Sequence, residues 1–555
     1  KIDLNTYGFT IFNNYDLGIQ GAWETTTYTV NFADFTSFRI PLIIANSSTP
    51  WGGGLSIQNI KINKPSKKIG IQAYAQGSIF VNAVEITKVD KNDGVTLVSV
   101  GGDVIVTNSV FKENGRGAYI NAGGNVILNN EFTTFDFNQT DGAVIEAVGN
   151  VFITNSTFNN NGMASRVSKS SKGNGLTIKN NGLVQIYNVQ ANENNNYGAN
   201  IDSTGTISIN QSTFNSNHGH RNSPCSNTNK LSVSLSNTSE YPTTNCRNSN
   251  SGSADGYGLK AISDDSVALD TVSADGNYTF GAHLSAPIAV FVTHSTFNQN
   301  HSGSGGKVAE DDRGLIIEST GSVSLADVEA NGNPVFGAEV TGGVVYIANS
   351  RFLQSNGYGL HVVSQSTISL DAVTADNNST YDGWLEAASD VNVLNSSFNN
   401  CGCDGEGIGL LIVSGGIVTL DTVQANQNGV SGTEITATAD VNIINSAFAE
   451  NYTNGAVVSS GGNVLVADTA FNDNGQSKKG YGLRITGAVG VTLNNTTATA
   501  NGRDGVYVNV TGITVNVTDG VFTGNGGFGI NASGSIVLLN GAPVFADNGK
   551  GDYLV

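Results

Sequence analysis

The chain has 555 residues, with 69 Gly, 8 Pro, 4 Cys and 1 Met, and its 26 basic and 45 acidic residues leave a net charge of -19. Gly stands well above its usual ~7% without a period of three, which excludes collagen, and recurrent short Val/Ile/Leu runs exclude acidic disorder. No run approaches the ~20 apolar residues of a membrane-spanning helix, and the acidic field repels nucleic acid and anionic lipid, so neither membrane insertion nor a nucleic-acid partner is expected.

The chain opens at Lys1, and its scarcity of Met and Lys fits an extracellular or cell-surface protein, already processed or cut from a longer one. Residues 1–69 hold Trp23, Trp51, Pro41, Pro50 and Pro65 around two strand-like runs, TYGFTIF and FRIPLIIA. Their spacing is irregular, and this segment is expected to be an N-terminal cap or an assembly surface of irregular β structure.

From residue 70 to residue 555 one period organises the chain. Glycines that open a short apolar run recur from Gly70 and Gly94 through Gly359, Gly383, Gly409 and Gly432 to Gly529, and most gaps lie between 22 and 26 residues. Each unit reads as two or three short strands of period two separated by Gly, Ser and Asn, with no ten-residue helical pattern. Such units are too short for propeller blades and lack a leucine-rich frame. An all-β, right-handed parallel β-helix with about 18–20 turns of 22–24 residues is expected, each turn stacking at about 4.8 Å on the last.

Most units end in Phe-x-x-Asn or Ala-x-x-Asn, and from Ala191 the two kinds largely alternate: Ala191, Phe214, Ala274, Phe297, Ala330, Phe352. Two places earlier the residue switches in the opposite sense, Val189, Val272 and Val328 before Ala, Ser212, Ser295 and Ser350 before Phe. A bulky side chain in one turn should therefore face a small one in the next, which fills a core without voids. The closing Asn recurs from Asn114 and Asn161 to Asn525 and Asn548. Stacked turns would set these amides in a hydrogen-bonded row, an Asn ladder. Five insertions follow a Phe-type unit, at 162–174, 218–257, 301–313, 402–408 and 475–481. All should leave one corner of the rod, as a ridge able to contact a neighbour or a ligand.

Turn length, the Asn row and phrases such as VNVLNSSFNN (residues 391–400) resemble the right-handed parallel β-helix, or pectin-lyase-like, superfamily, in its repeat-built bacterial surface form. The fold hosts lyases, hydrolases, adhesins and inert fibres, so function must come from a site. The resemblance to polygalacturonases implies Asn-Thr-Asp, Asp-Asp, Gly-His-Gly and Arg-x-Lys. Asp264-Asp265 and Gly281-Ala282-His283 match it in part, and the other elements are missing. The resemblance to pectate lyases implies a calcium-binding acidic cluster; here Asp270, Asp371 and Asp421 share one position on alternate turns, about 10 Å or more apart, too far to share one ion. His218-Gly219-His220 and His301 lack the further ligands that zinc requires. Cys225 and Cys246 flank the longest insertion, and a disulfide there would contribute roughly 3 kcal/mol. Cys401, in a CGC phrase with Cys403, takes the place of a ladder Asn.

No catalytic, cofactor-binding or metal-binding residue is assigned from the sequence, and weak calcium binding stays open. The expected role is a secreted structural β-solenoid of a cell-surface fibre, sheath or adhesin stalk, associating with copies of itself head-to-tail or laterally. The alternatives are an extracellular polysaccharide-degrading enzyme and a passive carbohydrate- or host-binding adhesin; the missing carboxylate constellation weighs against the enzyme.

Overall fold

Two residues in the left-handed region bend the chain in every repeat, and they set its cross-section. In the turn that starts at residue 408, strand Ile408–Ser414 forms a first wall and strand Val418–Asp421 a second. Thr422 (φ 59°) then bends the chain into a short third wall centred on Gln424, and Gln427 (φ 59°) bends it back toward the first. The computed structural model describes residues 41–65, 69–129, 132–162, 173–218, 256–300, 312–402, 407–476 and 479–555, with the backbone of strands Phe9–Ile11, Leu17–Gln20 and Thr36–Phe38.

Every strand pairing among these residues is parallel and joins one turn to the next, as in Leu410↔Thr433 and Val418↔Val441. The chain is an all-β, right-handed parallel β-helix. Its first wall is a sheet of 21 strands among the described residues; Phe9–Ile11 and Leu42–Ile44 precede residue 70, which leaves 19 in the repeat region. Parallel stacking runs into the first 69 residues: Leu42 pairs with Ile71, and strand Leu55–Asn63 lies along Ile79–Thr87. The described ends of the insertions lie together at the corner between the third wall and the first, as expected.

The inward side chains form one continuous core. On the third wall, Phe158, Ala191, Phe214, Ala274, Phe297, Ala330 and Phe352 are fully buried and in register. Large therefore meets small, as the sequence predicts. Alternation is not obligatory, however. Phe111, Phe135 and Phe158 follow one another with ring centroids 5.1 and 4.9 Å apart, and Phe448 stacks on Phe471 at 5.4 Å. Stacked rings are the second way to fill this column.

The Ser of the Ser-x-Phe turns has more than its size to offer. The left-handed residue before Val423 turns the Val amide away from the strand ladder, and the Ser446 hydroxyl of the next turn accepts its N–H at 3.0 Å. That hydroxyl donates in turn to the Ile444 carbonyl at 2.6 Å. Ser212, Ser295, Ser350 and Ser396 serve Val189, Val272, Val328 and Val373 in the same way.

The Asn ladder is present. Asn217 donates from both its backbone N–H and its Nδ2 to Asn277 Oδ1 (2.9 and 3.0 Å), and Asn277 repeats this to Asn300. Asn138, which the sequence reading left out, is a buried member between Asn114 and Asn161. A second row runs two residues earlier, where the side chain of Asn192 accepts the Asn215 amide at 2.7 Å and Asn215 accepts that of Asp275 at 2.8 Å. The turn-opening Gly is required by the ladder: a Cβ on Gly409 would lie 2.6 Å from Asn428 Nδ2.

Candidate functional site

Strands of the first wall read outward at their first, fourth and sixth positions, as in Tyr358–Ser364, where Tyr358, His361 and Val363 are only partly buried. The first position is aromatic in six of the seven turns from Tyr197 to Tyr381 and Arg in the other. Tyr257 stacks on Phe280 at 4.4 Å, and tilted ring contacts join Tyr197 to Tyr257 at 4.6 Å, Phe336 to Tyr358 at 4.7 Å and Tyr358 to Tyr381 at 5.2 Å. The Arg313 guanidinium lies over Phe336 at 5.2 Å and joins the two halves. The result is an aromatic stripe parallel to the rod axis, partly buried except at Phe280, which is buried.

Beside it a line of charges crosses four successive strands, from Arg313 at a first position through Glu339 and His361 at fourth positions to Glu386 at a sixth. Arg313 pairs with Glu339; Glu339 Oε1 lies 3.7 Å from His361 Nδ1, and His361 Nε2 lies 3.9 Å from Glu386 Oε1. These His–Glu separations exceed a hydrogen bond. Both ring nitrogens of His361 are buried without a hydrogen-bond partner. His361 first, and then Arg313, hold the Glu339 carboxyl below the usual range, against the opposing effect of burial. Trp384 lies over His361 at 4.6 Å between centroids and keeps its own buried Nε1 unpaired. Glu386 is the most open carboxylate of the line, at 40% side-chain exposure.

The ladder changes under this spot. The register Leu360↔Gly383 puts Asp382, not Gly383, in the turn-opening slot, which corrects the sequence assignment. Asp382 Oδ1 accepts both Asn378 N–H and Asn378 Nδ2–H at 2.9 Å, the two bonds a ladder Asn would receive. The next ladder slot holds Cys401, buried and in no disulfide, so a smaller side chain stands where an Asn amide would crowd the turn-opening residue. Asp382 Oδ2 has no partner, and burial pushes this carboxyl well above the usual range. Folded Asp382 thus keeps a proton that the unfolded chain releases, and its contribution falls as pH rises from the ordinary carboxylate range through the raised value. Asp382→Asn is expected to flatten this loss, read as the denaturation midpoint against pH; an unchanged pH slope would show that Asp382 is ionised.

The residues singled out in the sequence fall elsewhere. Asp265 clasps a corner, accepting Thr206 Oγ1 at 2.8 Å, while His283 lies out on the first wall, 3.4 Å from Glu318. Asp371 and Asp421 accept Asn395 and Asn445 Nδ2 at 2.9 Å, with Leu394 in the turn between them. Asp270 accepts from Thr293 and touches His294 at 2.9 Å; this contact, before all else, raises the exposed His294 and lowers Asp270. No group of three or more His, Cys, Asp or Glu among the described residues could hold a metal ion. Gly219, His220, His301, Cys225, Cys246 and Cys403 lie outside the described residues. The aromatic stripe was missed, although its signal was present: an aromatic directly before the turn-opening Gly at Tyr197, Tyr257, Phe280, Phe336 and Tyr358.

Comparison with known proteins agrees with the winding. Residues 403–540 match the family described as right handed beta helix region. Among solved structures, the periplasmic alginate epimerase AlgG is 13% identical, with 72% of this chain and 84% of that chain covered and a TM-score of 0.34. The A-module of Azotobacter vinelandii mannuronan C-5 epimerase AlgE6 is 10% identical over 94% and 92%, with a TM-score of 0.18. No curated protein matches the chain.

Proposed function

We propose that this chain is a carbohydrate-active β-helix that holds an extended polysaccharide along the outer face of its first wall. The observation that carries this reading is the aromatic stripe lying beside the Arg313–Glu339–His361–Glu386 line. Aromatic faces stack on the C–H faces of sugar rings, and carboxylates accept their hydroxyls. Glu386 is the group placed to exchange a proton with a bound glycan. His361 behind it acts as a positioning residue, biased by the ionised Glu339. A fibre-forming role, with self-association as its partner chemistry, has the winding alone in its favour, whereas this face carries chemistry. A substrate of this kind fits a protein that works outside the cytoplasm.

The test is product release from a panel of polysaccharides, followed by chromatography of soluble oligosaccharides. Glu386→Gln is expected to lower turnover about 100-fold while binding persists, the usual scale for a lost acid–base group. Full turnover in Glu386→Gln would remove the charge line from the reaction. Absence of both product and binding with every polysaccharide would sink the reading.

A further inference from the structure

Resting on this glycan face, we propose that its ligand is a non-anionic glycan, and that polyuronates and sulfated glycans are rejected. The outward positions from Tyr197 to Glu434 carry Asp202, Glu318, Glu386 and Glu434, with Glu339 set between Arg313 and His361. Against them stand Lys260 and Arg313, with the imidazoles of His283 beside Glu318 and His361 beside Glu386. Recognition of a uronate carboxylate calls for an open guanidinium fork. The one guanidinium here is already engaged by Glu339 and laid over Phe336. Glu318 and Glu386 are open, at 62% and 40% side-chain exposure, and face whatever lies along the stripe. A carboxylate-bearing sugar brought there would meet like charges at short range, within the field of a chain of net charge -19. An uncharged or amine-bearing sugar polymer meets none of this. Its hydroxyls or ammonium groups donate to the same carboxylates while its ring faces stack on the aromatics.

The rows are spaced at about 4.8 Å, the strand separation, so successive sugar units meet a nearly repeating surface. The ligand should therefore be a chain rather than a single sugar.

Affinity electrophoresis of the full chain tests this in native gels cast with glucan, mannan, galactan, xylan or chitosan, and in parallel gels cast with polygalacturonate or alginate. Retardation is expected in at least one of the first group and in neither polyuronate. Trp384→Ala, checked for a wild-type circular dichroism spectrum, is expected to weaken that retardation about tenfold in Kd. Retardation by the polyuronates that Trp384→Ala abolishes would overturn the charge selectivity and leave the glycan face standing. Retardation in no gel would overturn the face itself. Retardation that Trp384→Ala leaves intact would move the binding site elsewhere on the rod.

Discussion

Phe297→Ala is expected to destabilise the coil by about 3–5 kcal/mol, near the top of the range for a core substitution. The ring is fully buried, and the turns on either side place Ala274 and Ala330 against it, both also fully buried. Neither methyl can reach into the vacated volume, so the cavity stays open, and its unfilled volume adds to the lost transfer energy. Phe135→Ala is the control. Phe135 lies between the rings of Phe111 and Phe158 at 5.1 and 4.9 Å, and these can lean inward. A smaller loss is expected there, toward the lower end of that range. The measurement is the urea midpoint followed by circular dichroism, with amide exchange to locate the weakened turns, since a stack of repeats need not melt as one unit. Equal losses at the two sites would show that the alternating and the ring-stacked columns relax alike, and that the Phe/Ala alternation does not govern packing.

The second large effect is a coupling. Asp382→Gly leaves the Asn378 N–H and Nδ2–H without the oxygen that now accepts both, which costs about 2–4 kcal/mol for two buried donors. Cys401→Asn places an amide against the Asp382 side chain, in the space that the other turns from Gly70 to Gly529 keep clear with a Gly, and overpacking of this kind costs about 1–3 kcal/mol. The two changes together rebuild an ordinary ladder step, with Asn at 401 receiving Asn378 as Asn428 receives Cys401 N–H at 2.9 Å. The double variant is therefore expected to be at least as stable as the original, with an interaction energy of at least about 3 kcal/mol in its favour. Additive losses would mean that Asp382 and Cys401 arose independently and that the Asp carboxyl is no stand-in for an amide.

Asp382 also shows where the sequence stops being informative. Period, core alternation and ladder were legible because each repeats many times, so that a single deviation does not blur them. A deviation is what a period cannot read. Gly383 lies one residue past the slot, within the scatter of the spacing, and was taken for the turn-opening Gly; the strand register alone reveals the shift. The Ser hydroxyls were read as small side chains because their partner, a Val amide turned aside by a left-handed residue, is a backbone feature with no residue signature. The aromatic stripe could have been found, since its residues precede the glycines at the same period. Attention to inward positions hid it. His361, Glu339 and Glu386 come from three separate turns, Glu386 two positions further along its strand than the other two, and only the stacking brings them into one line.

The glycines at the feet of the insertions carry a consequence for redesign. A Cβ on Gly162 would lie 2.7 Å from Gly173 Cα, one on Gly402 would lie 2.8 Å from Gly407 Cα, and one on Gly475 would lie 2.7 Å from Gly480 Cα. Each of these three excursions is cinched at its base, where outgoing and returning backbone touch without side chains between them. The coil beneath is indifferent to what is threaded through such a neck, because each doubling of length adds only about 0.6 kcal/mol of closure entropy. These necks are ready-made grafting ports, through which foreign peptides could be displayed on a stiff scaffold at multiples of the turn spacing.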